Sequence, residues 1–387
     1  MRQLNTIAVL KKELTGLKSL SLRDIHSQNH IITAFEDSLN AGRVGQSFIF
    51  AGQDGVGRFK CAGEIAKLLL CESPEKSEQN GRPFQDSCGK CRSCRLFESG
   101  SHPDFKHIYK ELNKYSEIPE IRKKSPSEFL ISVVREFFVD KAGKKPQLAH
   151  KTVFVLSESE KLNQSAQNAI LKTLEEPPPH CIIILICTRT DRLLETILSR
   201  CQVYNFAPVD REIIAGELEG RGIDRQEAVF WSGFTSGSLG RSIELSSLEA
   251  ECYSIKKELL EKLESFTLAD AVELAEWLGG RSGEIAGALG KTSGAEGKAG
   301  LKRQAQTITL NMIMSAAADA MKLAAGSRDL INHDQPEVIT SLSEKFDPYQ
   351  ASRLVEDINS SISMIYSYVN EKLIFEDILI NFARTKE

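Results

Sequence analysis

The stretch Ser47-Phe48-Ile49-Phe50-Ala51-Gly52-Gln53-Asp54-Gly55-Val56-Gly57-Arg58-Phe59 decides how this chain is read. An apolar run of strand character enters a glycine loop, and a helical run from Cys61 to Leu70 follows. Strand, glycine loop and helix in that order form the setting in which G-x-x-x-x-G-K-[ST] cradles nucleotide phosphates, because loop N–H groups and the helix N-terminus both favour an anion. Gly52 and Gly57 have the spacing. Arg58 stands where a lysine would reach the β/γ-phosphates, and Phe59 where a hydroxyl would hold Mg²⁺. A phenyl ring offers no oxygen to a hard cation. The loop has the backbone of a nucleotide site without its contacting side chains, and a chance match remains the competing reading.

A nucleotide fold should carry a second strand ending in an acidic pair for Mg²⁺ and water. The candidate is Val153-Phe154-Val155-Leu156-Ser157-Glu158-Ser159-Glu160. Ser157 takes the place of the acid that holds Mg²⁺ and Glu158 that of the water-activating acid. Lysine, hydroxyl and magnesium acid are therefore missing at separate points, while strand, loop and helix keep their order. Downstream, Arg200 ends the run Leu194-Glu195-Thr196-Ile197-Leu198-Ser199-Arg200-Cys201. It is either a surface residue at a helix end or an arginine finger, a permanent planar charge offered to phosphates on a neighbouring subunit.

Of nine cysteines, Cys88, Cys91 and Cys94 form C-x₂-C-x₂-C, and Cys71 can supply a fourth thiolate across the polar excursion 72–87. Four soft ligands favour tetrahedral zinc in a closed structural site. An iron–sulfur cluster of ferredoxin type wants a further cysteine where Glu98 stands. The other cysteines lie in apolar contexts and read as small buried hydrophobes.

Around these motifs, strands alternate with helices up to Val203-Tyr204-Asn205-Phe206, which argues for an α/β unit with a parallel sheet. From about residue 208 the pattern is helical. Residues 279–300 are rich in Gly, Ser and Ala and read as a loop or a loose helix pair, and a last apolar-faced helix is expected from about Asn359 to Arg384. At 387 residues two or three domains are expected. A net charge of −4 argues against a chain that grips nucleic acid unaided. No apolar run reaches the roughly 18–20 residues that cross a bilayer, and Thr6–Leu10 is shorter than a signal-peptide core of roughly 7–15 residues. A cytoplasmic location, with no membrane contact, is expected.

Gly52–Phe59, Cys71 with Cys88–Cys94, Gly100-Ser101-His102-Pro103-Asp104, Asn168-Ala169-Ile170-Leu171-Lys172-Thr173-Leu174-Glu175-Glu176-Pro177-Pro178 and Leu193–Cys201 together resemble the clamp-loader branch of the AAA+ family. The likeness covers about residues 23–210, and Asn370-Glu371-Lys372-Leu373 with Glu376-Asp377-Ile378-Leu379 is similar to the family's C-terminal helix. It implies an α/β RecA-like AAA+ core with a parallel sheet over 1–207, carrying a zinc-binding insertion at 71–94. A small helical lid at 208–248 and an all-α collar at 249–387, which joins five subunits in an open ring, would follow. The implied task is loading a sliding clamp onto primed DNA during replication by DNA polymerase III.

The family's ATP-hydrolysing gamma/tau subunits keep the lysine, the hydroxyl and the acidic pair. This sequence departs at Arg58, Phe59 and Ser157, so the resemblance implies a subunit with no activity of its own and no productively bound ATP. Its implied partners are gamma/tau and delta subunits, with clamp and DNA met through the complex. Ser199-Arg200-Cys201 matches the family's finger motif, and Arg241 in Gly237-Ser238-Leu239-Gly240-Arg241 corresponds to a second sensing arginine. The rival readings are an ATP-hydrolysing gamma/tau-type subunit and a zinc-stabilised DNA-binding module using Lys90, Arg92 and Arg95.

Overall fold

Strands apolar on both faces need cover on both faces, and a parallel sheet between two helical layers supplies it. The computed structural model describes residues 21–79, 81–123, 129–292, 297–365 and 371–385. The N-terminal segment 1–20, part of the 111–127 insert and Asn370 of the C-terminal motif lie outside the described residues. The chain divides after Val209 into two compact units.

In the first unit the sheet strands are β1 (Ser47–Ala51), β4 (Phe105–Ile108), β5 (Thr152–Leu156), β6 (Cys181–Cys187) and β7 (Gln202–Asn205). They run parallel in the order β4-β5-β6-β1-β7. Alternation splits their side chains between two cores. Phe48, Phe50, Val153, Val155, Ile182 and Ile184 face α1 (Asn29–Asn40) and α2 (Arg58–Leu70). Ile49, Phe154, Leu156, Ile183 and Leu185 share the other core with Ala166, Ile170 and Leu174 of α4 (Gln164–Glu175). The polar excursion after α2 contains an antiparallel hairpin, β2 (Glu75–Gln79) and β3 (Arg82–Asp86), followed by α3 (Arg92–Glu98). A short helix, α5 (Glu195–Leu198), precedes β7.

The described part of the second unit is helical, as the expected all-α region requires. Its first helices are α6 (Arg211–Glu219), α7 (Arg225–Phe234) and α8 (Leu239–Ser246). Asp210, Asp224 and Ser238 cap them by accepting backbone N–H bonds from Glu212, Gln226 and Arg241. Then come α9 (Cys252–Ser265), α10 (Ala271–Thr292), α11 (Lys298–Ala324), α12 (Pro336–Lys345), α13 (Pro348–Ile365) and α14 (Glu371–Arg384). Two expectations change here. The glycine-rich stretch is helical to Thr292, because Leu278, Ser282, Ile285 and Leu289 form a buried stripe in α10, which packs on α11. Each glycine costs about 1 kcal/mol in a helix relative to alanine, and burial of the stripe offsets it. The expected last helix is two helices, α13 and α14, with 366–370 outside the described residues. Within this unit the Lys256 ammonium is fully buried, 2.7 Å from both Asp334 carboxylate oxygens and 4.3 Å from the Phe230 ring centre.

The sheet fixes the glycine loop through one close approach. Gly52 has φ +151°, and a Cβ there would lie 2.8 Å from the Phe206 carbonyl oxygen. Gly57 has φ +97°, and a Cβ there would meet nothing within 4 Å. Gly52→Ala should therefore lower the thermal unfolding midpoint far more than Gly57→Ala. The expected costs are roughly 3 kcal/mol or more against roughly 1–2 kcal/mol. Equal losses would show that the approach to Phe206 is not what requires glycine.

Candidate functional site

Strand β1 ends between β6 and β7 and releases the glycine loop at the carboxyl edge of the sheet. The Gly52 N–H donates to the Cys187 carbonyl at 3.2 Å, and Gly57 caps α2 in a left-handed conformation. Strand, glycine loop and helix thus follow in the order expected from the sequence. The side chains are differently employed. The Arg58 guanidinium is buried and turns back on its own loop, with Nη2 3.3 Å from Asp54 Oδ1. Burial lowers its pKa, opposed by the charges of Asp54 and Glu160.

The Phe59 ring lies against the His107 imidazole, with centroids 4.5 Å apart and planes at 48°. His107 Nε2 is 2.8 Å from Ser157 Oγ. Phe59 and Ser157, the two positions at which a magnesium site would need oxygen ligands, thus meet through His107. Parallel pairing of β4 with β5 sets this up, placing His107 opposite Val155 near the strand end that leads to Ser157. Burial pushes the His107 pKa down to about 3, against the opposing charge of Glu158, so the ring is neutral. His107 was not singled out from sequence. The one signal was a histidine inside the strand-like run 105–109, where an apolar residue would be ordinary.

Glu158 is equally committed. It has φ +53° and its carboxylate pairs with Lys110 at 3.0 Å and with Lys161. Burial acts to raise its pKa, but the hydrogen bond and charge of Lys161 and the charge of Lys110 bring it below the ordinary value. An ionised carboxylate shared by two ammonium groups is a weak base for activating water.

Arg200 follows α5 and is about one-third exposed. Its Nη2 lies 2.8 Å from Glu175 Oε1 at the end of α4, and Nη1 donates to the Thr196 carbonyl at 2.9 Å. The structure therefore seats Arg200 on its own chain's surface, on partners other than the glycine loop. Arg241 belongs to the second unit, where it pairs with Glu244 at 2.7 Å.

Cys71, Cys88, Cys91 and Cys94 converge, with all four sulfurs within 4.8 Å of one another. Cys71 Sγ is 3.6 Å from Cys88 Sγ and 3.9 Å from Cys91 Sγ. A tetrahedral zinc with bonds of about 2.3 Å spaces its sulfurs about 3.8 Å apart, so the donor set fits that ion. Backbone N–H groups of Cys88, Cys91 and Cys94 donate to Cys71 Sγ, Cys88 Sγ and Cys91 Sγ at 3.3–3.4 Å. Burial opposes ionisation of Cys88, but N–H donors from Lys90 and Cys91 and the adjoining sulfurs bring its pKa to about 7. The cluster can hold a metal ion. Beside it, Lys90 pairs with Glu75 at 3.0 Å, which partly neutralises the basic face suggested for nucleic acid.

A family model described as DNA polymerase III, delta subunit, matches residues 27–210, and one described as DNA polymerase III, delta subunit, C terminal, matches residues 286–384. The chain is 24% identical over 346 residues to DNA polymerase III subunit delta' of Escherichia coli (strain K12), covering 89% of this chain and 90% of that one. Against subunit delta' of Bacillus subtilis (strain 168) it is 27% identical over 219 residues, or 57% of this chain and 59% of that one. Against subunit tau of Bacillus subtilis it is 30% identical over 196 residues, which is 50% of this chain and 30% of that protein.

The buried imidazole predicts an acid sensitivity. Unfolded, His107 titrates near its ordinary 6.5; folded, near 3. Between those values the unfolded chain binds a proton that the folded chain does not, so stability falls as pH drops through 6.5 towards 3. His107→Gln keeps a donor for Ser157 and cannot titrate. Its thermal midpoint, whatever its starting value, should fall less than wild type between about pH 7 and pH 4.5. Parallel slopes would show that His107 is not held neutral.

Proposed function

We propose that this chain, which matches the two DNA polymerase III delta-subunit family models, is a delta'-type, non-hydrolysing subunit of a clamp loader. It helps place a sliding clamp on primed DNA beside gamma/tau and delta subunits. The observation that carries this reading is the Phe59–His107–Ser157 contact. Mg²⁺ needs near-octahedral oxygen ligands at about 2.0–2.1 Å, and here a phenyl ring, an imidazole and an engaged hydroxyl stand in their place. Arg58 turned onto Asp54 and Glu158 held by two lysines support the same reading. The gamma/tau-type alternative would need each of these rearranged.

In this reading the first unit is a RecA-like AAA+ core that contributes to a neighbour's ATP site. Arg200 is the finger, and Glu175 holds it until a nucleotide-loaded neighbour docks. An exchange from an exposed carboxylate to a phosphate costs little, since such surface pairs are worth about 0–1 kcal/mol. In the second unit, 208–248 serves as lid and 249–387 as the collar that joins the ring. The four cysteines hold a structural zinc. A Cys₄ site has no open coordination position, so the ion would tie the end of α2, the turn after β3 and the start of α3 together without taking part in chemistry.

The test is reconstitution with gamma/tau and delta subunits of the same source. Arg200→Ala should co-purify with them as wild type does, while ATP turnover at the adjoining site falls by about 10³-fold or more. Unchanged turnover in a fully assembled complex would reject the finger role, and failure of the wild-type chain to assemble would reject the clamp-loader reading itself.

A further inference from the structure

We propose that His102 and Ser93 are positioning residues for the metal centre of Cys71, Cys88, Cys91 and Cys94, an inference that rests on the metal reading of that cluster. The ligands come from separate places. Cys71 is the C-cap of α2, Cys88 lies in the turn beyond β3, and Cys91 and Cys94 sit at the N-terminal end of α3. The short spacing among the last three fixes them relative to one another, but Cys88 lies 17 positions beyond Cys71. Something else must hold α3 against the end of α2.

A buried hydrogen-bond chain does so. The Asp104 N–H donates to His102 Nδ1 at 3.1 Å. Since Nδ1 accepts, the neutral ring carries its proton on Nε2, which lies 2.8 Å from Ser93 Oγ. The Ser93 hydroxyl in turn donates to the Leu70 carbonyl at 2.5 Å. Each donor has one acceptor, and Ser93, His102 and Asp104 are all buried. The ends of this chain are telling. Leu70 is the residue before the first ligand, and Ser93 stands between the third and the fourth. One hydroxyl thus joins the two halves of the thiolate set. Asp104, at the other end, accepts N–H bonds from Gln147, Leu148 and Ala149 at 2.6–2.8 Å, so the chain is rooted in the segment that enters β5. A second tie runs alongside, from the buried Lys67 ammonium of α2 to Glu98 of α3 at 2.8 Å.

Groups that orient metal ligands from outside the coordination shell typically govern affinity by 10–100-fold. The experiment uses the full chain and compares wild type with Ser93→Ala, His102→Ala and His102→Gln. Zinc affinity is read by competition with a chromophoric chelator, ligand geometry by the visible d–d bands of the cobalt(II)-loaded protein, and fold by the thermal midpoint of the metal-free protein. Ser93→Ala and His102→Ala should weaken zinc binding by about 10–100-fold and alter the cobalt bands. Glutamine, which can both accept and donate, should recover part of the loss. If His102→Ala does not fold, Ser93→Ala decides, since it leaves the imidazole in place. Zinc affinity and cobalt bands equal to wild type, with only the metal-free midpoint lowered, would overturn the proposal and leave the metal reading intact. Uptake of neither metal by wild type would overturn both.

Discussion

A magnesium–nucleotide site needs oxygen where β1's loop meets the ends of β4 and β5, and in this chain that meeting point is occupied by the Phe59 ring on the His107 imidazole. The contact follows from the sheet. Parallel strands deliver their carboxyl ends to one edge, so the first residues of α2 and the residues closing β4 and β5 must share the same small volume. In an ATPase the volume is shared by ionic groups that need a ligand to balance them. Here an apolar ring, a neutral imidazole and a serine hydroxyl fill it, joined by one ring contact and one hydrogen bond, with His107 Nδ1 buried without a partner. His107 can lie fully buried because it is uncharged, and it stays uncharged because it is buried.

The remaining polar groups at this edge follow the same logic of closure. Arg58 is neutralised within the loop by Asp54, and Glu158 by Lys110 and Lys161. Arg200 differs. Its partner Glu175 is about half exposed, and the pair sits on the surface where salt and water weaken it. The Arg58 guanidinium is buried, whereas that of Arg200, the residue proposed to act on a neighbour, is about one-third exposed. The same contrast separates the cysteines. Cys61, Cys181 and Cys187 are buried in the two cores of the sheet, while the four clustered thiols lie on an excursion from it.

Much of this was legible in the sequence, for physical reasons that can be named. Strands β1, β5 and β6 are nearly continuous apolar runs bounded by turn signals, which fit a doubly covered parallel sheet, and the glycine spacing placed the loop at its edge. Cys71 could be joined to Cys88, Cys91 and Cys94 because thiols gathered around an excursion have few other uses. Other features escaped because they depend on register or packing. His107 is an unremarked strand residue until β4 is paired with β5. The hairpin β2–β3 is polar apart from the buried Phe84 and carries no alternating strand signal. In α10 the glycines argue against a helix, and only the stripe Leu278, Ser282, Ile285 and Leu289, once packed on α11, argues for it. The segment Gly100–Asp104 was recognisable as a family mark, but its work, a buried tie between the cysteine helix and β5, emerges only from its hydrogen bonds.

The central claim is that the nucleotide loop persists as shape while its magnesium position is filled by side chains. It is tested most directly by calorimetric titration of ATP into the purified chain, with Mg²⁺ and with a chelator in its place. The filled position predicts the same weak or undetectable heat in both conditions. Micromolar, Mg²⁺-dependent binding accompanied by turnover from the chain alone would contradict it.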